Sequence, residues 1–265
     1  MLLLVLNIVA VVAPLPAAVL ALRAGGWGPA VRVCLALAAL GPAIWAAALL
    51  SGHWQTGLSA TLWVSIAATA LLFGGLAVSS NRNWRLAALL MPFLSALGLL
   101  ASLVRGVEAP APLAGQVPAA WLDLHIVVSV LTYALLTLAA VASLATFLQE
   151  RALKRKAPTQ LTRNLPSVAE SEVLAGRLLL ASETVLGLGL ATGMAAQYFE
   201  SGALLVISHK TLLSLLVFAL IGLLLIGHRV CGVRGRMAAR VVLLAYLLLT
   251  LAYPGVKFVT QVLLP

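Results

Sequence analysis

Residues 121–156 read WLDLHIVVSVLTYALLTLAAVASLATFLQERALKRK. From Leu122 to Leu148 the run is apolar over a length that crosses a bilayer, whose ~30 Å hydrocarbon core needs about 20 helical residues. It closes on Arg151, Lys154, Arg155 and Lys156, the charge that marks the cytoplasmic end of a membrane helix. Yet His125 stands in its first turn, with Ser129 and Thr132 at i+4 and i+7. The apolar run decides the fold class. The imidazole and the hydroxyls pose the functional question.

Seven more runs of the same kind surround this one. The eight cover roughly 2–22, 31–50, 58–79, 86–104, 122–148, 177–197, 204–227 and 238–260. Of 265 residues 63% are hydrophobic and 9% charged, with a mean hydropathy of +1.11, whereas soluble domains carry about 25% charged residues. Runs this long exceed the strands of a membrane barrel, so the fold class is all-α: a polytopic bundle of about eight transmembrane helices. No internal repeat is visible, and residues 1–265 read as a single transmembrane domain. The first run lacks a basic leading segment and reads as a retained helix. The connection 149–176, mixed in charge, reads as a polar loop, and GVEAPAPLAGQVPAAW (residues 106–121) as an extended outer linker.

The net charge of +10 invites a nucleic-acid reading, which its placement excludes. All of the 17 basic residues except Arg105, Lys210 and Lys257 fall in the first, third, fifth and seventh connections or at their borders. By the positive-inside rule those connections are cytoplasmic and both termini lie outside. Cys34 and Cys231 belong to no CxxC or CxxCH pattern, which leaves zinc, thiol-redox and covalent haem chemistry without support.

This topology sorts the histidines. His53, His125 and His209 fall near the outer face, and His228 near the inner one. His209 and His228 lie on one helix, about 28 Å apart at 1.5 Å per residue, and cannot share a ligand. His125 and His209 can, if the fifth and seventh helices are neighbours. Two imidazoles from different helices suit haem iron inside a bundle, and imidazole also binds zinc or copper. No HExxH helix or carboxylate cluster accompanies them, and no nucleophile–base pair marks an enzyme. The plainer reading is an interfacial histidine, wet at one edge and bonded to a carbonyl.

Ser129 and Thr132 continue through Leu136 and Ala139 to Ser143, a stripe that faces either a cavity or a hydrogen-bonded partner helix. Glu183 is the acid placed deepest within a run; an acid there is costly unless paired or protonated. It reads as a structural ion pair with His228 or Arg229 near the inner end of the seventh helix, or as a proton relay. Gly189 and Gly193 make a GxxxG step suited to close helix contact. Trp54 and Trp121 read as interfacial anchors, with porphyrin stacking as the minor reading.

Two stretches resemble the cytochrome c assembly membrane proteins. LHIVVSVLTYALLTLAAVASLATFLQERALK is similar to that family's H…S…YA…L…S…Q-R-LK helix. HKTLLSLLVFALIGLLLIGHRVCGVRGRMAARVVLLAYLLLTLAYPGVKF is similar to its closing helix pair. The likeness covers 121–155 and 205–260. It implies haem as cofactor and handling of haem at the outer face of a bacterial inner membrane, with lipid, haem and other cytochrome c assembly components as partners. In it His125 matches the upstream histidine, His209 stands beside the end of the family's tryptophan-rich WGxxWxWD segment, and His228 matches the inner histidine. That tryptophan-rich segment does not occur in this sequence, which makes the short HemX-like branch the nearer likeness and an accessory role the expectation. Two rival classes stay open: a proton- or ion-coupled solute transporter using Glu183 and His228, and a regulatory scaffold acting through the basic fifth connection.

Overall fold

Lipid offers no hydrogen bonds, so each apolar run has to satisfy its backbone within itself, and each does so as a helix. The computed structural model describes residues 2–23, 25–51, 57–80, 82–105, 118–202 and 208–259. Among them are eight helices long and apolar enough to cross a membrane: α1 (Leu3–Arg23), α2 (Pro29–Leu50), α3 (Leu58–Ser79), α4 (Asn83–Val104), α5 (Ala120–Arg155), α6 (Val168–Phe199), α7 (His209–Val230) and α8 (Gly235–Phe258). The chain is all-helical, as its hydropathy requires. His53, Trp54, Gln116 and most of the proline-rich outer linker lie outside the described residues.

α5 is the central helix. It packs most extensively on α6 and also on α8 and α3, while α1 and α2 lie against α3 and α4. Small side chains permit that density: Ala134, Ala139, Ala142 and Ala145 of α5 are wholly buried. Several buried hydroxyls return to their own backbone one turn earlier. Thr132 donates to Val128 O, Thr137 to Tyr133 O and Thr69 to Ser65 O, at 2.7–2.9 Å. That bond hides a hydroxyl from lipid without a partner helix.

The connection 149–176 is not a polar loop. α5 runs on to Arg155, a short helix covers Gln160–Asn164, and α6 begins at Val168. The extension QERALKR is composed of strong helix formers. The start of α6 is a capping box, in which Ser167 accepts from the Glu170 N–H and Glu170 accepts from the Ser167 N–H. Hydropathy locates where lipid ends, whereas propensity and capping locate where the helix ends.

The basic connections meet at one end of the bundle. Asn164 Nδ2 donates to Leu22 O at 2.6 Å. Arg82 pairs with Glu170 at 2.5 Å, and Glu172 accepts the Gly235 N–H at 2.6 Å. These contacts join the first, third, fifth and seventh connections. At the other end, Ser102 of α4 donates to Asn7 of α1 at 2.7 Å, and Lys257 of α8 donates to Thr61 of α3 at 2.7 Å.

Candidate functional site

α7 packs chiefly on α6 and α8 rather than on α5. The space left between α5 and α7 is a cavity of about 410 Å³ at the end of the bundle away from the basic connections. α5 lines it with His125, Ser129, Thr132 and Tyr133; α6 with Leu186, Leu190, Met194 and Gln197; α7 with its N-cap Ser208 and with Lys210, Thr211 and Ser214; α8 with Tyr253 and Lys257. Its walls are largely apolar, and its two ammonium groups come from the first turn of α7 and the last turn of α8.

The geometry at His125 is specific. Gly189 and Gly193 bring α6 close to α5: a Cβ on Gly189 would stand 3.4 Å from Val128, and one on Gly193 would stand 3.0 Å from His125 Cε1. The GxxxG step therefore seats the imidazole. His125 Nδ1 lies 3.0 Å from Thr192 Oγ1, whose own hydrogen goes to Gly189 O at 3.1 Å. A hydroxyl has one proton to give, so with that proton on Gly189 O, Thr192 accepts from the Nδ1–H of His125. In the neutral ring that arrangement leaves the lone pair on Nε2. Trp121 Nε1 donates to Thr192 O at 3.1 Å, clamping α5 to α6 one turn above the histidine. Its indole is thus spent on a helix contact.

Below, Tyr133 and Tyr246 share a hydrogen bond of 3.1 Å. The Tyr253 ring lies 6.5 Å from that of Tyr133. Tyr253 belongs to a π-helical turn, Leu251–Gly255, that contains Pro254; proline cannot donate to the ladder, and such wide turns gather at functional sites. The ammonium of Lys257 sits 5.4 Å over the Tyr253 ring, which fixes both side chains beside the cavity.

His125, Ser129 and Thr132 are thus brought together. His209 is exposed and does not line the cavity, although its neighbours Ser208 and Lys210 do. His228 is at the opposite end of α7, in a crevice with Glu172, Arg229 and Arg234. Glu183 faces α7, but at Gly222, where a Cβ would stand 3.1 Å from its Oε1. Gly222 lies about 9 Å along the helix from His228. No ion pair with His228 or Arg229 forms, and Oε2 is buried without a hydrogen-bond partner. The expected structural pair is corrected to a lone carboxyl against a glycine. Its position leaves it a turn or more from either basic partner.

Sequence reasoning passed over Thr192, Tyr133, Tyr253, Lys210 and Lys257 as site residues. For the two lysines a signal existed. They are two of the three basic residues that break the charge partition, and both line this cavity.

Residues 33–264 match the family described as cytochrome C assembly protein. An uncharacterised 28.8 kDa protein of Azospirillum brasilense, described as lying in a nifR3-like 5' region, is 60% identical over 239 residues, covering 90% of this chain and 86% of that one.

Proposed function

The chain belongs to the cytochrome c assembly protein family, and from that premise we propose that it is an accessory haem-handling protein of a bacterial inner membrane, holding haem in the α5–α8 cavity. Within the family it fits the short HemX-like branch, since its sequence carries no WGxxWxWD platform. The observation that carries the reading is the setting of His125: it lines the cavity with Nδ1 3.0 Å from Thr192 Oγ1, an arrangement that in the neutral ring leaves the lone pair on Nε2. That is how proteins orient a metal-ligating imidazole. The surroundings fit the group. Apolar walls suit the macrocycle, and Lys210 and Lys257 suit its two propionates.

In this reading haem supplies the iron and its redox chemistry, and the chain supplies everything that positions it. His125 would hold the group from the α5 wall. His209, exposed between two cavity-lining neighbours, would be the candidate for a second imidazole to hold the group. Ser129 and Thr132 make the α5 face polar beside the ligand. His228 belongs to a second, inner location on α7 and takes no part in this cavity. With both termini outside, the cavity opens toward the outer face, where haem is passed to other cytochrome c assembly components. Binding and transfer of haem need no covalent enzyme chemistry, and none is assigned.

The test is the absorption spectrum of the purified protein, ferric and ferrous, with and without added haem. A low-spin Soret band that collapses in His125→Ala supports the site. Failure of the wild-type protein to take up haem overturns it. The transporter reading draws on the unpartnered Glu183 carboxyl, and it gains if liposomes show substrate-dependent proton flux that Glu183→Gln abolishes.

A further inference from the structure

The opposite end of the α6–α7 seam holds a second, differently built space. It is a crevice of about 550 Å³ lined by Ala169, Glu172, Val173, Gly176 and Leu180 of α6, by Leu225, Ile226, His228 and Arg229 of α7, and by Arg234 just before α8. Its lower walls are exposed hydrophobic side chains: Val173 at 56%, Leu180 at 50% and Ile226 at 60%. Leu180 and Ile226 lie within the apolar runs, where exposed side chains face acyl chains, and Val173 continues that apolar face toward the basic end. Its rim is cationic. The one acid among the lining residues, Glu172, accepts the Gly235 N–H at 2.6 Å, so its charge is directed to the start of α8. Gly176 keeps the floor open, since a Cβ there would meet nothing within 4 Å.

We propose that this crevice binds one anionic phospholipid, with the headgroup phosphate against Arg229, Arg234 and His228 and an acyl chain along Val173, Gly176 and Leu180. Charge complementarity selects the occupant. A cationic rim above an apolar slot matches an amphiphile with an anionic head, and basic pockets between helices at the positive end of a membrane protein bind acidic lipids. From Glu172 to Leu180 the slot runs ~12 Å along α6, enough for the upper part of an acyl chain. A free phosphate would use the rim alone and leave the slot without a role. The proposal does not rest on the haem reading, because the crevice shares no residue with the outer cavity.

The experiment is native mass spectrometry of the detergent-purified full chain, titrated with phosphatidylglycerol or phosphatidylcholine of identical acyl chains. The wild-type protein retains one phosphatidylglycerol with a preference of about tenfold or more. Arg229→Gln/Arg234→Gln loses the preference while still binding either lipid weakly. Gly176→Leu, which has room to fold and leaves every charge in place, loses both lipids by filling the slot. Unchanged phosphatidylglycerol retention in both variants overturns the proposal. So does displacement of the lipid by millimolar inorganic phosphate, which would make the rim a free-anion site. Equal retention of the two lipids by the wild-type protein overturns it as well.

Discussion

The outer cavity and the inner crevice use the same materials, yet their walls differ. Each combines histidine, cationic side chains and aliphatic walls along α6 and α7. Four helices enclose the outer one, and its imidazole is pressed by Gly193 and held by Thr192. The inner one has only α6, α7 and the entry to α8 around it, and its glycine faces open space. Composition alone does not make a cofactor site. Enclosure and an imidazole held by a hydrogen bond suit a bound metal centre, whereas an open, lipid-facing slot suits a lipid.

The comparison breaks most completely if the two ends are inverted. A reporter fused at Arg155 or Arg234 scores cytoplasmic, and one at Gln116 scores non-cytoplasmic, an all-or-none result. A cytoplasmic score at Gln116 exchanges the faces of the two sites. The next largest effect separates their chemistry. His125→Ala lowers haem affinity at least about tenfold, the loss of ~1.4 kcal/mol of ligation or more, and His125→Ala/His209→Ala lowers it further. Arg229→Gln leaves the Soret titration unchanged. Equal sensitivity at both ends would erase the distinction.

Two glycine substitutions sharpen it. Gly193→Val forces side-chain atoms into His125 and costs about 1–3 kcal/mol in a detergent melt. Gly176→Ala gains up to ~1 kcal/mol, because alanine is the better helix former and meets no atom. A smaller change follows from Thr192→Val, which removes the acceptor for Nδ1–H and costs about 1 kcal/mol. In the haem-loaded protein it also broadens the Soret band by freeing the ring. If that spectrum does not move, Thr192 is not what orients His125.

The smallest effect lies between the two sites. Because Glu183 Oε2 is buried without a partner, Glu183→Leu leaves stability unchanged or raises it by about 1 kcal/mol. A loss of more than 2 kcal/mol on that substitution would show that the carboxyl has a partner after all.

Much of this architecture was decided by hydropathy and charge along the chain, because lipid imposes them residue by residue. Apolar length sets the number of helices, helical backbone bonding is local, and the basic residues sort themselves by face. Family membership was legible for a related reason, since the polar positions of residues 121–155 and 205–260 recur in order on otherwise plain helices. Helix ends in 149–176 were less legible, because polarity and helicity part company once the chain leaves the membrane.

What only the tertiary structure decided is which polar groups meet. α7 leans on α6 and α8, so His125 faces Thr192 and Gly193 across a tight glycine seam, while His209 stays exposed and Glu183 faces Gly222. Those outcomes depend on the rotation and tilt of each helix about its neighbours. Packing of side chains from distant parts of the chain sets both, and no single helix carries that information in its own pattern.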